Sequence, residues 1–223
     1  QQEMAKDEEK KILDDCLQDD NISLALQPLI SGDDGTVLAF EALLRSNHPV
    51  LNGPLPVIRA AEKHESLSQL ADIIFKKARG WLEQLPGDFR LFVNIHPDEL
   101  ADPSGMKKRL EILQPWANRI VLEITERSRL QAIASWEETL DYIINKGFMV
   151  AVDDLGAGYS SLSVLADLQP KYIKVDMSII RNVHKEPRKQ RLVQLLCKFA
   201  EATEAMIVAE GVEEEAEMKT LIE

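Results

Sequence analysis

The sequence contains little cysteine and no long apolar run. Only two of its 223 residues are cysteines, Cys16 and Cys197, which excludes a disulfide scaffold at this size and favours a reduced, cytoplasmic protein. No apolar stretch approaches the roughly 18 residues of a membrane span, and no signal peptide is present, so we expect no membrane segment in this chain. The chain begins with Gln1 rather than Met, which is typical of a fragment and leaves an upstream sensor, regulatory domain or membrane anchor open.

Basic residues are also scarce, with 26 lysines and arginines against 38 aspartates and glutamates and a net charge of −12. This surplus of acid argues against DNA as a partner, because DNA phosphates must be neutralised by basic side chains. It leaves room for a phosphate ligand held by metal ions, which reverse the local charge. Residues 1–20 and 209–223 each carry −5 and leave only −2 for residues 21–208, so we interpret both ends as solvated helix faces.

The chain also lacks a linker rich in glycine, serine or proline. Residues 1–20, with helical apolar spacing from residue 3, are expected to form either a linker or a capping helix. Residues 21–223 alternate short apolar runs with helical patterns, which predicts one α/β domain with a TIM-like (β/α) barrel. Seven runs predict strands, one fewer than a closed eight-stranded barrel has: 24–30, 37–42, 91–95, 120–124, 149–152, 172–175 and 206–209.

Polar side chains follow these apolar runs, at the point where each predicted strand ends. In a (β/α) barrel such positions gather at one mouth, which is the active-site face. The residues are Glu41, Asn94, Glu123, Asp153, Asp154, Lys174, Asp176, Glu210 and Glu213. Any one of them alone is most simply a solvated strand end or a helix cap, but so many acids at one mouth repel one another unless cations compensate. Oxygen ligands without histidine or cysteine favour Mg²⁺ or Mn²⁺, and the number of acids favours two ions.

Lys174 is unusual because a lysine that faces a barrel interior is rarely present without a partner. Beside carboxylates and metal it has three possible roles. It can orient a water molecule, hold a phosphoryl oxygen, or abstract a proton as the base does in enolase-type barrels. The pattern of residues leaves these three roles open.

Several short motifs, taken in order along the chain, resemble those of the EAL domain family, the bacterial phosphodiesterases of cyclic di-GMP. The resemblance covers roughly residues 10–223 and rests on the following segments: Gln27-Pro28, Glu41-Ala42-Leu43-Leu44-Arg45, Val93-Asn94-Ile95-His96-Pro97, Leu122-Glu123-Ile124-Thr125-Glu126, residues 153–162, Ile173-Lys174-Val175-Asp176 and Ala209-Glu210-Gly211-Val212-Glu213. It implies a barrel whose first strand is antiparallel, a homodimer formed through the barrel, and hydrolysis of cyclic di-GMP.

The resemblance also implies a role for each polar residue. The metal ligands would be Glu41, Asn94, Glu123, Asp153 and Asp154, with Asp176 as a further ligand or as support for one. Lys174 and Glu210 would hold or activate the attacking water, with Glu213 nearby. Arg45 would bind a phosphate, a role that suits its donor fork, and Gln27 would reach a guanine edge. Glu126 would anchor the loop 153–163, which in the family links the metal site to the dimer interface.

The chain departs from the family pattern at a few positions. Leu155 and Ala157 replace the usual Phe and Thr of the loop, and His96 replaces a Ser, for which a structural role at the strand end is expected. The family's closing strand and its aromatic segment are missing, so the domain 21–223 is expected to be incomplete at its C-terminus, with an open sheet edge.

Three functions follow from these observations. The first is a metal-dependent phosphodiesterase that hydrolyses cyclic di-GMP to linear pGpG by two-metal activation of water. The alternative is a non-catalytic cyclic di-GMP receptor that signals through attached domains. The third is an enolase-like enzyme that uses Lys174 as its base, which explains the lysine and the acids but not the ordered motifs.

Overall fold

The computed structural model describes residues 2–18, 21–125, 133–157, 165 and 167–222. The strands are β1 (Ile22–Ile30), β2 (Val37–Ser46), β3 (Arg90–Ile95), β4 (Ile120–Thr125), β5 (Met149–Leu155), β6 (Tyr172–Val175) and β7 (Met206–Ala209). The helices are α1 (Gln2–Cys16), α2 (Pro54–Lys63), α3 (Leu67–Leu82), α4 (Pro103–Leu113), α5 (Trp136–Asn145), α6 (Met177–Ile180), α7 (Pro187–Thr203) and α8 (Glu215–Ile222). Three helices, α2, α4 and α7, begin at a proline, whose fixed φ suits the first helical turn.

The seven strands form one sheet in the order in which they occur along the chain. β1 pairs with β2 in antiparallel fashion, and every later neighbouring pair is parallel. This topology confirms the predicted α/β barrel fold with an antiparallel first strand. Among the described residues no strand joins β7 to β1, so the curled sheet remains open between these two edges.

The two faces of the sheet have different environments because side chains alternate along a strand. On the outer face, residues such as Val93, Leu122 and Ile173 pack against the helices in the largest apolar cluster. On the inner face a smaller layer fills the barrel, and in it Phe92 meets Tyr172 edge to face with ring centroids 4.8 Å apart. The other buried members of this inner layer are Ala39, Val121 and Ala151. Both faces are therefore filled below the mouth of the barrel.

The first helix is shorter than its apolar pattern predicted. It ends at Cys16, where the side-chain amide of Asn21 donates to the carbonyl oxygen of Asp15 at 2.9 Å. Leu13 and Cys16 are fully buried against the α2–α3 side of the barrel. This packing favours the capping-helix alternative, and the domain boundary at residue 20 stays a prediction. No helix within the described ranges is long and apolar enough to span a membrane.

Candidate active site and metal centre

One layer of polar side chains lies two residues beyond the apolar inner layer, on five successive strands and directly after the end of a sixth. A spacing of two keeps a side chain on the same face of a strand, so these residues continue the inner face toward the mouth. The pairs of apolar and polar residues are Ala39 and Glu41, Phe92 and Asn94, Val121 and Glu123, Ala151 and Asp153, Tyr172 and Lys174, and Val208 and Glu210. The sheet therefore collects most of the predicted site residues in one place.

Lys174 lies at the centre of this polar layer, surrounded by four carboxylates. The distances from its Nζ are 3.1 Å to Glu41 Oε2, 2.7 Å to Glu123 Oε1, 3.0 Å to Asp153 Oδ1 and 2.9 Å to Glu210 Oε1. The side chain of Lys174 is 1% exposed and that of Glu123 is 0% exposed, whereas Glu210 is 27% exposed. The cluster thus extends from the buried core of the barrel toward solvent.

The pKa values within the cluster reflect this burial. Burial alone would lower the pKa of Lys174, but the surrounding carboxylates outweigh burial and raise it above its ordinary value. Burial raises the pKa of Glu123 well above its usual range, and the Lys174 ammonium offsets only part of that rise. Burial likewise raises the pKa of Glu210, with the same partial offset. A lysine held as an ammonium does not suit proton abstraction, so this geometry disfavours the enolase-like alternative.

Glu123 is the most deeply buried acid of the cluster, and its oxygens have few polar partners. Both of its carboxylate oxygens are buried, and beyond the 2.7 Å ion pair between Oε1 and Lys174 neither has a hydrogen-bond partner among the described residues. A buried, unsatisfied carboxylate is costly. Its neighbour along the sheet is Asn94, whose amide donates to Glu41 Oε1 at 3.3 Å. Two further oxygen-bearing side chains, Glu41 and Asn94, therefore lie beside the buried carboxylate of Glu123.

A second group of acids lies on the other side of Lys174. One oxygen each from Asp153, Asp154 and Glu210 falls within 4.8 Å of the others, a spacing that suits a single metal ion. Asp154 has a positive φ of 57°, and its backbone N–H donates to Asp153 Oδ1 at 3.0 Å. This left-handed turn lets two consecutive aspartates belong to one group although the side chains of a regular strand point to opposite faces.

These residues fit divalent cations in kind and in charge. The donors are carboxylate and amide oxygens, which are the ligands of Mg²⁺, Mn²⁺ and Ca²⁺. When all groups are ionised, the five carboxylates at positions 41, 123, 153, 154 and 210 together with Lys174 carry a net charge of −4, which two divalent ions neutralise. The glutamate with two unsatisfied oxygens supports the same assignment.

Two predicted substrate residues lie next to this cluster. Gln27 is the direct cross-strand partner of Glu41 in the β1–β2 ladder, so both side chains lie on the same face. Arg45 lines a cavity of about 240 Å³, which Asn94 also lines and which is otherwise mostly apolar. The Arg45 guanidinium donates to the carbonyl oxygen of Leu44 at 2.9 Å. The cavity itself was not predicted, because its lining comes from several helices and strands.

Three other predicted residues lie apart from the Lys174 cluster or outside the structure. Asp176 caps α6, where its Oδ1 accepts from the Ser178 N–H at 2.8 Å. Glu213 is paired with both terminal nitrogens of Arg181, a partner that no sequence signal indicated. Glu126 lies outside the described residues, as does most of the loop that it is predicted to anchor. Their proposed roles are therefore less directly supported than those of the central cluster.

His96 has the structural role expected for it. It caps the short 3₁₀ turn Pro97–Ala101, where its Nδ1 accepts from the Asp98 N–H at 3.2 Å. Its Nε2 lies 3.1 Å from Glu62 Oε1 on α2. The ring therefore ties the end of β3 to a neighbouring helix and is not part of the cluster of acids.

Comparison with known protein families agrees with this geometry. The sequence profile of the EAL domain matches residues 10–223. The chain belongs to the EAL domain family. Its central cluster of acids and lysine occupies the strand positions at which the EAL motifs were recognised.

Several curated relatives of this EAL domain have names that state an activity. The cyclic di-GMP phosphodiesterase NbdA of Pseudomonas aeruginosa is 33% identical over an alignment that covers 95% of this chain and 28% of NbdA. The cyclic di-GMP phosphodiesterase RocR of the same organism is 31% identical, over 88% of this chain and 52% of RocR. The probable cyclic di-GMP phosphodiesterase PdeG of Escherichia coli is 29% identical, over 95% of this chain and 44% of PdeG. The chain thus spans about half or less of these relatives.

Solved structures share the fold of this EAL domain. Klebsiella pneumoniae BlrP1, in a complex with calcium and cyclic di-GMP, superposes with a TM-score of 0.80 at 27% identity, over 92% of this chain and 57% of BlrP1. A manganese complex of BlrP1 gives the same TM-score at 28% identity, over 90% of this chain and 52% of BlrP1. The phosphodiesterase PaMucR in complex with c-di-GMP superposes with a TM-score of 0.81 at 25% identity, over 96% of this chain and 91% of PaMucR.

Proposed function

We propose that this EAL domain hydrolyses cyclic di-GMP to linear pGpG with the help of two divalent cations, Mg²⁺ or Mn²⁺. The observation that supports this most directly is the cluster of four carboxylates around Lys174, in which the buried oxygens of Glu123 lack hydrogen-bond partners. The names of the relatives, and the divalent metal and cyclic di-GMP in the BlrP1 complexes, support the same substrate and cofactors.

The proposed reaction exchanges one phosphorus–oxygen bond for another. The oxygen of a water molecule forms a bond to phosphorus, the bond from phosphorus to one 3′ oxygen breaks, and that 3′ oxygen leaves with a proton. Bound divalent cations would supply positive charge that lowers the pKa of water and stabilises the charge that develops on the phosphate. The residues Glu41, Asn94, Glu123, Asp153 and Asp154 would hold these cations.

The chain's own residues then position water and substrate. Glu210, at the more exposed side of the cluster, would accept the proton of the attacking water. The Lys174 ammonium would donate a hydrogen bond to that water or to a phosphoryl oxygen. At the cavity beside the cluster, Arg45 would bind a phosphate with two parallel hydrogen bonds, and Gln27 would contact a guanine edge.

The proposal includes the assembly and setting of the protein. We infer a homodimer formed through the barrel, with Glu126 as an anchor of the loop 153–163, and a cytoplasmic protein with an attached sensor or regulatory domain. The greater length of the relatives supports attached domains. Sedimentation of wild type and Glu126→Ala tests the dimer, and equal self-association of the two would remove the anchoring role.

The decisive experiment is to incubate the purified protein with cyclic di-GMP and either Mn²⁺ or EDTA, and to separate the products by chromatography. We expect pGpG with Mn²⁺ and none with EDTA. Calorimetric titration of cyclic di-GMP is run in parallel. Intact substrate under all conditions, together with tight binding in EDTA, would overturn the hydrolase proposal in favour of the receptor alternative.

A further inference from the structure

The ammonium of Lys174 lies where the two groups of proposed metal ligands meet. It contacts Glu41 and Glu123 of the first group on one side, and on the other side it contacts Asp153 of the second group together with Glu210. All four Nζ–oxygen distances are between 2.7 and 3.1 Å. One nitrogen therefore touches an oxygen of most of the residues that are proposed to bind the cations.

Lys174 is also the only basic side chain paired with these four carboxylates within the described part of the chain. It is 1% exposed, so the ion pairs are sheltered from water and salt. Buried like charges repel strongly, and removal of one partner of a buried ion pair leaves charge that nothing compensates. Without metal, the fold therefore depends on this single ammonium to hold the acids together.

We propose that Lys174 is the counter-ion of the metal-free site, and that divalent cations compete with its ion pairs when they bind. The inference rests on the proposed metal site but adds a second role for the lysine, which is to keep the barrel mouth folded until metal arrives. Binding of a cation and the ion pairs of Lys174 are then negatively coupled, and such coupling is reciprocal. Loss of the lysine should weaken the metal-free fold and strengthen metal binding.

The test compares Lys174→Met with wild type in thermal unfolding, once in EDTA and once in millimolar Mn²⁺. Lys171→Met is the matched control, because Lys171 lies just before the same strand but is half exposed. Its ion pair with Glu204 is long, at 4.0 Å. We expect Lys174→Met to melt about 10 °C below wild type in EDTA, and most of that gap to close with Mn²⁺. The Lys171→Met variant should follow wild type under both conditions.

Calorimetry supplies the second measurement. We expect the Kd of Lys174→Met for Mn²⁺ to be at least about tenfold lower than that of wild type, since a competing positive charge is gone. An equal or higher Kd, or a melting gap that Mn²⁺ leaves unchanged, would overturn the proposal and leave Lys174 with a purely structural role. A variant that folds only with Mn²⁺ would support it.

If Lys174→Met fails to fold under every condition, the wild-type protein still decides the matter. Its lysine ammonium resonances can be followed by ¹⁵N NMR while Mg²⁺ is added. The resonance of Lys174, recognised in wild type by the slow hydrogen exchange of its buried ammonium, should shift or disappear as Mg²⁺ binds, and an unchanged resonance at saturating Mg²⁺ would contradict the proposal. Cyclic di-GMP hydrolysis is measured separately: metal coupling without hydrolysis refutes only the proposed function, whereas hydrolysis without coupling refutes only this inference.

Discussion

Two buried basic side chains, Lys174 and Arg109, have contrasting surroundings. Lys174 in the barrel mouth faces four carboxylates, one of which has no hydrogen-bond partner for either oxygen. Arg109, between α3 and α4, donates to Asp72 at 2.6 Å and to the Ser68 carbonyl at 3.1 Å. Its second acid, Glu99, is 3.8 Å away. Both cations are almost completely buried, so burial alone does not distinguish them.

The difference lies in the balance of charge and not in hydrogen bonding, because Glu99 Oε2 is also buried without a hydrogen-bond partner among the described residues. Burial raises the pKa of Glu99 and so favours its uncharged form, which leaves Asp72 as the main counter-charge of Arg109. The donors of Arg109 are met by a serine and by an aspartate whose side chain is 65% exposed, which is the arrangement of a structural ion pair. Among the described residues, the acids around Lys174 outnumber the basic side chain that pairs with them, and bound divalent cations would neutralise the excess charge. A buried cluster with surplus acid therefore indicates a binding site, whereas a balanced cluster indicates a structural one.

The largest expected effect is on turnover, and it is tested by making the same Asp→Asn substitution in each cluster. Asp153→Asn removes a carboxylate that is proposed to bind metal and should lower the turnover of cyclic di-GMP at least about a thousandfold, a loss of roughly 4 kcal/mol of transition-state stabilisation. Asp72→Asn, in the balanced cluster, should leave turnover within about twofold of wild type. Steady-state hydrolysis is measured for both variants, with circular dichroism to check that each is folded. Near-normal turnover in Asp153→Asn would contradict the assignment of Asp153 as a metal ligand.

Arg109→Met should give the largest loss of stability that metal does not restore. It leaves the buried Glu99 without its nearest cation, so we expect the free energy of unfolding to fall by about 3–5 kcal/mol in urea denaturation. The loss should be the same in EDTA and in Mn²⁺. If Mn²⁺ restored the stability of Arg109→Met, the two clusters would be coupled, and the distinction between a binding cluster and a structural one would fail.

The balanced cluster should also show its own pH dependence. Burial raises the pKa of Glu99 to about 7 from a reference value of 4.5, with the Arg109 charge as a partial offset. The folded state therefore retains this proton to higher pH than the unfolded chain does. The stability that protonated Glu99 contributes at low pH is therefore lost as the pH rises from about 4.5 to 7.

Glu99→Gln should remove this loss. At pH 8 its free energy of unfolding should exceed that of wild type by up to about 3 kcal/mol, and at pH 4.5 the two should nearly coincide. The control is Glu111→Gln, which alters an exposed acid on α4, the helix that carries Arg109. A difference between Glu99→Gln and wild type that does not change with pH would rule out this explanation.

The smallest effect is expected at Glu213. Its side chain is 61% exposed and pairs with Arg181, so Glu213→Gln should change the free energy of unfolding by less than about 1 kcal/mol. We expect turnover to fall less than tenfold, because Glu213 is paired with Arg181 and not with Lys174. Comparison with Glu210→Gln by the same assay sharpens this point, and an equal loss in both variants would place Glu213 among the groups that contact the water.

Sequence reasoning predicted the strands and the edge at which the acids meet, because both depend on local alternation. It did not predict which of two polar neighbours would point inward. Asp153 and Asp154 both belong to the proposed ligand group because the second has left-handed backbone geometry. Asp176, by contrast, caps a helix with one of its carboxylate oxygens.

Contacts between residues distant in sequence were also beyond prediction. The pairing of Glu213 with Arg181 spans 32 residues, and no motif connects them. The enclosure of Lys174 by four acids depends on how far each parallel strand is offset from the next, which the apolar runs do not specify. The cavity beside Arg45 is likewise formed by residues from separate helices and strands.

The spacing of two between the apolar and polar inner layers has a consequence for insertions and deletions. Removing one residue between Val121 and Glu123 would turn the glutamate to the outer face, where the sheet packs against helices. Removing two residues of β4 ahead of Glu123 would keep it on the inner face but displace it along the strand by about 7 Å. The site therefore depends on an even sequence spacing between each apolar residue of the inner layer and the polar residue that follows it. Keeping this spacing preserves the site, whereas keeping the identity of the apolar residues does not.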